Sequence, residues 1–160
     1  MYILDHKIRK RWFNYLWQSV IAGSIMILIL VVFSTFVDLI IVAAMGATTF
    51  TVFAMPRNIT AKPRNVIGGH LFAIIIGSLC TLLVPHIHVY FISGIAIAIV
   101  MFLMVITNTE HPPAAGTALG IVISAFSIQY IVFVLGGAII LSIFKYVLNP
   151  WMIDLTDRTE

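Results

Sequence analysis

No charged side chain interrupts the stretch from Tyr15 to Phe33, YLWQSVIAGSIMILILVVF. At the rise of an α-helix, a run of this length crosses the roughly 30 Å hydrocarbon layer of a bilayer. Such a run is either buried in a large protein core or given to lipid. Composition decides between the two. Of 160 residues, 61% are hydrophobic and 9% charged, against about 25% charged in ordinary soluble domains. A soluble fold of this size has too little interior to hide so much apolar surface, so the solvent for most of the chain is a bilayer.

Further apolar runs follow at Leu39 to Met55, Val66 to Val84, Val89 to Ile106, Ala114 to Ile128 and Gln129 to Leu148. A polar break at Ser34, Thr35 and Asp38 separates the first two, and the basic loop PRNITAKPRN, Pro56 to Asn65, follows the second. These runs predict an all-α, polytopic transmembrane helix bundle with six membrane segments. The alternative is four full spans plus short or re-entrant segments, since Ala114 to Ile128 is short for a crossing and non-spanning backbone is tolerated where protein buries it.

Charge placement orients the bundle. With the N-terminus in the cytoplasm, the loop carrying Arg57, Lys62 and Arg64 is cytoplasmic after two crossings, and the loop Pro85 to His88 has no Lys or Arg. Six crossings return Lys145 and Arg158 to the same side, which gathers all nine Lys and Arg residues there and satisfies the positive-inside rule. The expected organisation is a basic cytoplasmic segment over residues 1–14, a transmembrane domain over 15–148 and a cytoplasmic tail over 149–160, in the cell membrane with both termini cytoplasmic. Beside a span, the cluster Lys7, Arg9, Lys10 and Arg11 reads as an orientation signal and not as a nucleic-acid patch. Trp12, Tyr15, Trp17, Tyr146 and Trp151 fit the inner interface, and Tyr90 and Tyr130 the outer one.

Small residues recur at helical spacing: Gly69, Ala73 and Gly77; Gly116, Gly120 and Ser124; Gly94 and Ala98. Such stripes let helices approach closely in lipid. A bundle this small is expected to bury some of them between copies, as a homo-oligomer, either dimer or trimer.

Few polar side chains lie inside the apolar runs, and intramembrane polar groups are functional candidates by default. Thr48, Thr49 and Thr51 either bond back to the carbonyl four residues earlier or line a hydroxyl-bearing site beside Gly46. His70 follows Gly68 and Gly69 early in the third run, where a lone His more often packs and hydrogen-bonds than binds a metal; His86 and His88 face water in the outer loop, with no third metal ligand near them. One cysteine, Cys80, leaves no disulfide framework or Cys-based metal site within the chain. No HExxH, no G-x-S-x-G and no paired intramembrane carboxylates point to an enzyme, and no cofactor or metal is expected.

The stretch NTEHPPAAG, Asn108 to Gly116, carries the densest chemistry. Pro112 and Pro113 suit the first turn of a helix, where a missing N–H costs nothing. A helix therefore starts at Pro112, with His111 extended before it and Asn108 or Thr109 helping to cap it. The amides of Ala114 and Ala115 at that positive helix end attract an anion, His111 adds a donor that titrates near neutrality, and Glu110 holds or relays a proton. The competing reading is that Glu110 and His111 only end a span.

GATTFTVFAMPRNITAKPRNVIGGH (Gly46 to His70), EHPPAAGTAL (Glu110 to Leu119) and LGGAIILSIFKYVLNP (Leu135 to Pro150) together resemble the HPP family of small integral membrane proteins. The resemblance covers nearly the whole chain after the basic N-terminus. It implies at least four spans and, because some plastid and cyanobacterial members are implicated in nitrite transport, a transporter or channel for a small inorganic anion, nitrite first. His111, Pro112 and Pro113 match the name motif. Pro63, Arg64, Asn65, Gly69 and His70 match the basic-loop motif, and Gly46 and Ala47 the small-residue motif. Thr48 and Thr49 stand where serine or alanine is expected in relatives, which puts selectivity in question. The expected site is therefore Thr48, Thr49, Arg64, Asn65, His70, Asn108 and His111. In it Arg64 attracts the anion, Asn65 and Thr49 bind it, and Glu110 and His111 handle a proton. The rival expectation is a non-transporting scaffold or partner subunit.

Overall fold

The computed structural model describes residues 8–33 and 38–156. Lys7, Ser34, Thr35 and Arg158, used above for orientation and for the first polar break, lie outside the described residues. The described residues form helices α1 (Ile8–Phe33), α2 (Leu39–Ala54), α3 (Pro63–Thr81), α4 (Val89–Ile106), α5 (Pro112–Ser124) and α6 (Ile128–Leu148), with a 3₁₀ turn at Ile59–Ala61 before α3. Among them there is no strand. Four helices, α1, α3, α4 and α6, are long and apolar enough to cross a membrane. The other two, α2 with 16 residues and α5 with 13, reach only about 24 Å and about 20 Å.

The short helices are placed where their length is no liability. α5 packs between α2 on one side and α3 and α4 on the other. Gly116 of α5 lies against Ala44 of α2, and Gly120 against Ile41 and Ile40, whose side chains leave no room for a Cβ. On the opposite face, Ala114 and Ala118 join Ala73 of α3 and Val100 and Met104 of α4 in one buried cluster. The small-residue stripes on α3 and α5 therefore meet neighbours, as their spacing predicts. Gly94 on α4 has nothing within 4 Å. The larger core sits between α1, α2 and α6, around Ile29, Met45, Phe53, Phe133 and Leu141. In the apolar window of α1 only 17% of residues are buried, against 44% in α3. The first helix is a peripheral, outward-facing element, and α3 a central one.

Polar groups brace the two ends. At one end Asp38 precedes α2, and the Tyr130 hydroxyl donates to its carboxylate at 2.5 Å. The hydroxyls of Ser124 and Tyr130 hold that exposed carboxyl below its ordinary range. Tyr130 is buried and bonded there, whereas Tyr90, Trp12, Tyr146 and Trp151 are exposed. At the other, basic end, Gln18 of α1 is fully buried. Its Nε2 donates to the carbonyls of Phe53 (2.7 Å) and Ile153 (3.0 Å), and its Oε1 accepts from the Ile153 N–H at 3.0 Å. The Leu155 N–H bonds the Ala54 carbonyl at 2.9 Å, so the segment after α6 is bound to both α1 and the end of α2.

Candidate functional site

The helix starting at Pro112 begins where the proline pair demands, with His111 extended at φ −144°, ψ 90°. Its N-cap is His111 and not Asn108 or Thr109. Asn108 is exposed with φ 53°, a left-handed turn that asparagine tolerates. It does not cap the helix, and its side chain stands apart from the buried groups. The Ala114 N–H, expected to meet an anion, already bonds the His111 carbonyl at 2.9 Å.

His111 turns its ring inward, where it meets His70. The ring centroids are 5.1 Å apart, and both side chains are at 0% exposure. Thr48 of α2 lies between them: its Oγ1 is 2.9 Å from His70 Nε2 and 3.1 Å from His111 Nε2. On the far side of His70, Thr117 Oγ1 is 3.1 Å from Nδ1. On the far side of His111, Nδ1 is 2.8 Å from the Thr60 carbonyl. Gly69 makes the approach possible, because a Cβ there would lie 2.8 Å from His111 Cβ and 3.3 Å from Ala114 Cβ.

Donor and acceptor counting then fixes both tautomers of the neutral pair. A carbonyl only accepts, so His111 carries its proton on Nδ1 and donates to Thr60. Its Nε2 must accept, and Thr48 supplies the proton. The Thr48 hydroxyl has none left for His70, so His70 Nε2–H donates to Thr48 Oγ1. His70 Nδ1 then accepts from Thr117. The Ala44 carbonyl, 3.0 Å from Thr48 Oγ1, keeps its helical N–H partner and is the acceptor that can be left out. The result is one directed chain of hydrogen bonds, Thr117 to His70 to Thr48 to His111 to the Thr60 carbonyl, that joins α5, α3, α2 and the 3₁₀ turn. Thr60 also lines an open groove of about 630 Å³ with Thr51, Asn58, Pro112 and Pro113.

The chain can also hold one more proton without losing a bond. If His111 carries a proton on both nitrogens, it donates to Thr48. Thr48 then donates to His70 Nε2, and His70 Nδ1–H to Thr117. A second extra proton would put two like charges about 5 Å apart in a low-dielectric site.

The remaining expected residues lie elsewhere. Thr49 bonds back to the Met45 carbonyl and faces Met26 of α1, so it does not join the pair. Arg64 is exposed and donates to the Thr107 carbonyl at 2.9 Å. Asn65 Nδ2 donates to the Glu110 carbonyl at 3.2 Å and reaches the Glu110 carboxylate at 3.5 Å. Arg64 and Asn65 hold the turn before α5, and Glu110 is engaged there and does not touch the imidazoles. Thr117 and the Thr60 carbonyl, in turn, belong to the site without having been picked from sequence. Thr117 is the one hydroxyl within the PPAAGTALGIVI stretch, a signal that was there to be used. Among the described residues no cluster of His, Cys, Asp or Glu is placed to hold a metal.

His111 lies in the loop ahead of α5, outside the four long spans. Burial pushes its imidazole down to about 4, with the Thr60 carbonyl pulling the other way. An imidazole in an unfolded chain titrates near 6.5. Between those values the unfolded chain binds a proton that the folded chain refuses. Stability is therefore complete above about pH 6.5 and falls as pH drops toward 4. The full chain in detergent is expected to melt several degrees lower near pH 5 than near pH 7.5, with a flatter profile for His111→Gln. Identical wild-type and variant profiles would contradict it.

Comparison with known proteins agrees with this architecture. The chain is 28% identical over 120 residues to a transmembrane protein of Dictyostelium discoideum, an overlap of 69% of this chain and 41% of that protein. It thus spans less than half the length of that relative. No solved structure matches the chain. The family model described as the HPP transmembrane region matches residues 7–155, nearly the whole chain and all six helices. The chain belongs to the HPP transmembrane family.

Proposed function

We propose that this protein carries a small inorganic anion across the membrane together with a proton, nitrite being the first candidate. The observation that carries the reading is the His70–Thr48–His111 unit at zero exposure. Two imidazoles inside an apolar bundle are costly unless they are used. The unit accommodates one extra proton, and among the described residues no carboxylate stands beside it to balance the charge, since Glu110 is bonded to Asn65. An anion supplies the missing countercharge. Binding of the anion and the proton is then mutually favourable, and the pair can cross without net charge. The basic end faces the cytoplasm in this reading, the membrane is the cell membrane, and the open Gly94 face of α4 is where copies of the chain associate.

Proteoliposome uptake tests it. Nitrite, nitrate, formate and chloride are presented in turn, with external pH recorded. Nitrite uptake above empty vesicles, matched by external alkalinisation and abolished by His111→Ala, is the expected result. If no anion moves above empty vesicles and His111→Ala changes nothing, the reading fails. One observation favours a non-transporting membrane scaffold instead: every hydrogen bond of the unit is satisfied within the chain. That alternative expects His111→Ala to lower the melting temperature and leave ion fluxes untouched.

A further inference from the structure

A second polar feature lies at the basic end, on the carbonyl of Ala61, the residue after the Thr60 that His111 bonds. The turn after α2, the residue capping α3 and the last turns of α6 enclose a cleft of about 760 Å³. Among the described residues three cations line it, Arg57, Lys62 and Lys145, and no carboxylate does. Lys145 is the unusual member. It belongs to the helical span α6 and is 6% exposed, yet its side-chain partner is a carbonyl, that of Ala61 at 2.7 Å. That bond uses one of three ammonium hydrogens. Buried ammonium groups ordinarily sit against a carboxylate. Here no carboxylate among the described residues stands against it, and two further cations line the same space. Orientation in the membrane requires basic residues near span ends. It does not require them to converge on one cleft, or one of them to be buried.

The rest of the wall says what kind of anion fits. Tyr146 and Val147 are exposed on the outward face of α6, and Asn149 adds an amide at the helix end. The cleft is therefore cationic at its base and apolar where it opens along the span. Free phosphate would use only the base. A phosphodiester attached to acyl chains would use both, and basic pockets between spans on the cytoplasmic side suit such headgroups. We propose that this cleft binds the headgroup phosphate of an anionic lipid of the leaflet at the basic end, with Lys145, Arg57 and Lys62 contacting the phosphate.

Native mass spectrometry of the full chain released from nanodiscs of equal phosphatidylglycerol and phosphatidylcholine tests this. Retention of phosphatidylglycerol at roughly tenfold over phosphatidylcholine is expected. Arg57→Gln combined with Lys62→Gln, both exposed and neither in the core, is expected to reduce that preference about tenfold. Arg64→Gln, a cation at the same end bonded elsewhere, is expected to leave it unchanged. Lys145→Met checks the buried member, with the preference lost and melting temperature recorded beside it. Equal retention of the two lipids by the wild type would overturn the proposal. So would a double variant that keeps the preference, or an equal loss in Arg64→Gln. Displacement of the lipid by millimolar inorganic phosphate would overturn the lipid assignment in favour of the free ion.

Discussion

Thr48→Val is expected to unfold the protein at a markedly lower temperature and to reduce nitrite uptake to the level of empty vesicles. Valine keeps the shape of threonine and removes one hydroxyl. That hydroxyl is the donor to His111 Nε2 and the acceptor for His70 Nε2–H. Its loss strands two buried nitrogens at once. Each unsatisfied group costs about 1–3 kcal/mol, so the variant is expected to lose about 2–6 kcal/mol, a large share of the stability of most domains. Thr48→Ser restores the hydroxyl and is expected to recover both stability and uptake. Thr49→Val is the control. It removes a hydroxyl from the next residue on the same helix, whose partners are the Met45 carbonyl and Met26, and should leave uptake near wild type. If Thr48→Val and Thr49→Val behaved alike, the bridging role of Thr48 would be wrong.

The second large effect is steric. At Gly69 a Cβ would lie 2.8 Å from His111 Cβ, 3.3 Å from Ala114 Cβ and 3.3 Å from Met104 Sδ. The first two atoms are anchored directly to backbone and cannot swing away. Gly69→Val must therefore push α5 off α3, at a cost of about 1–3 kcal/mol or more for overpacking, and it separates His111 from Thr48 as it does so. Gly23→Val and Gly46→Val place the added Cβ where nothing lies within 4 Å. Size-exclusion profiles and melting temperatures are expected to show a destabilised Gly69 variant beside two near-normal ones. Equal behaviour of all three would remove close packing as the reason for Gly69.

Much of the bundle was legible because lipid makes the rules strict. Backbone in hydrocarbon must bond to itself, so apolar runs become helices, and α4 occupies Val89–Ile106 as read. Proline geometry placed the start of α5 at Pro112. The short α2 and α5 correspond to the alternative of four long spans with shorter segments packed among them. What a run of letters does not carry is rotational phase. Thr48 and Thr49 differ by about 100° around the helix axis, and only the packing of α2 between α1 and α5 turns one to the histidines and the other to Met26. The same holds for Thr117. The meeting of His70 with His111 depends on a contact between α3 and the start of α5, which Gly69 permits without advertising it. Arg64 and Asn65 looked like anion ligands because they are polar beside a motif. Their hydrogen bonds go to the turn that presents His111.

Gln18 engages Ile153 through a paired N–H to carbonyl exchange, the bonding pattern of two neighbouring antiparallel strands. A side-chain amide here takes the place of a strand edge. The first helix and the segment after the last are thereby joined, and the order of helices becomes a closed circuit with no free outer end. The first helix, with so few of its apolar residues covered, would otherwise be the member most easily peeled away into the lipid. Its polar fastening sits at the basic end, and at the opposite end Phe33 holds it by packing edge-on against Phe133 of α6.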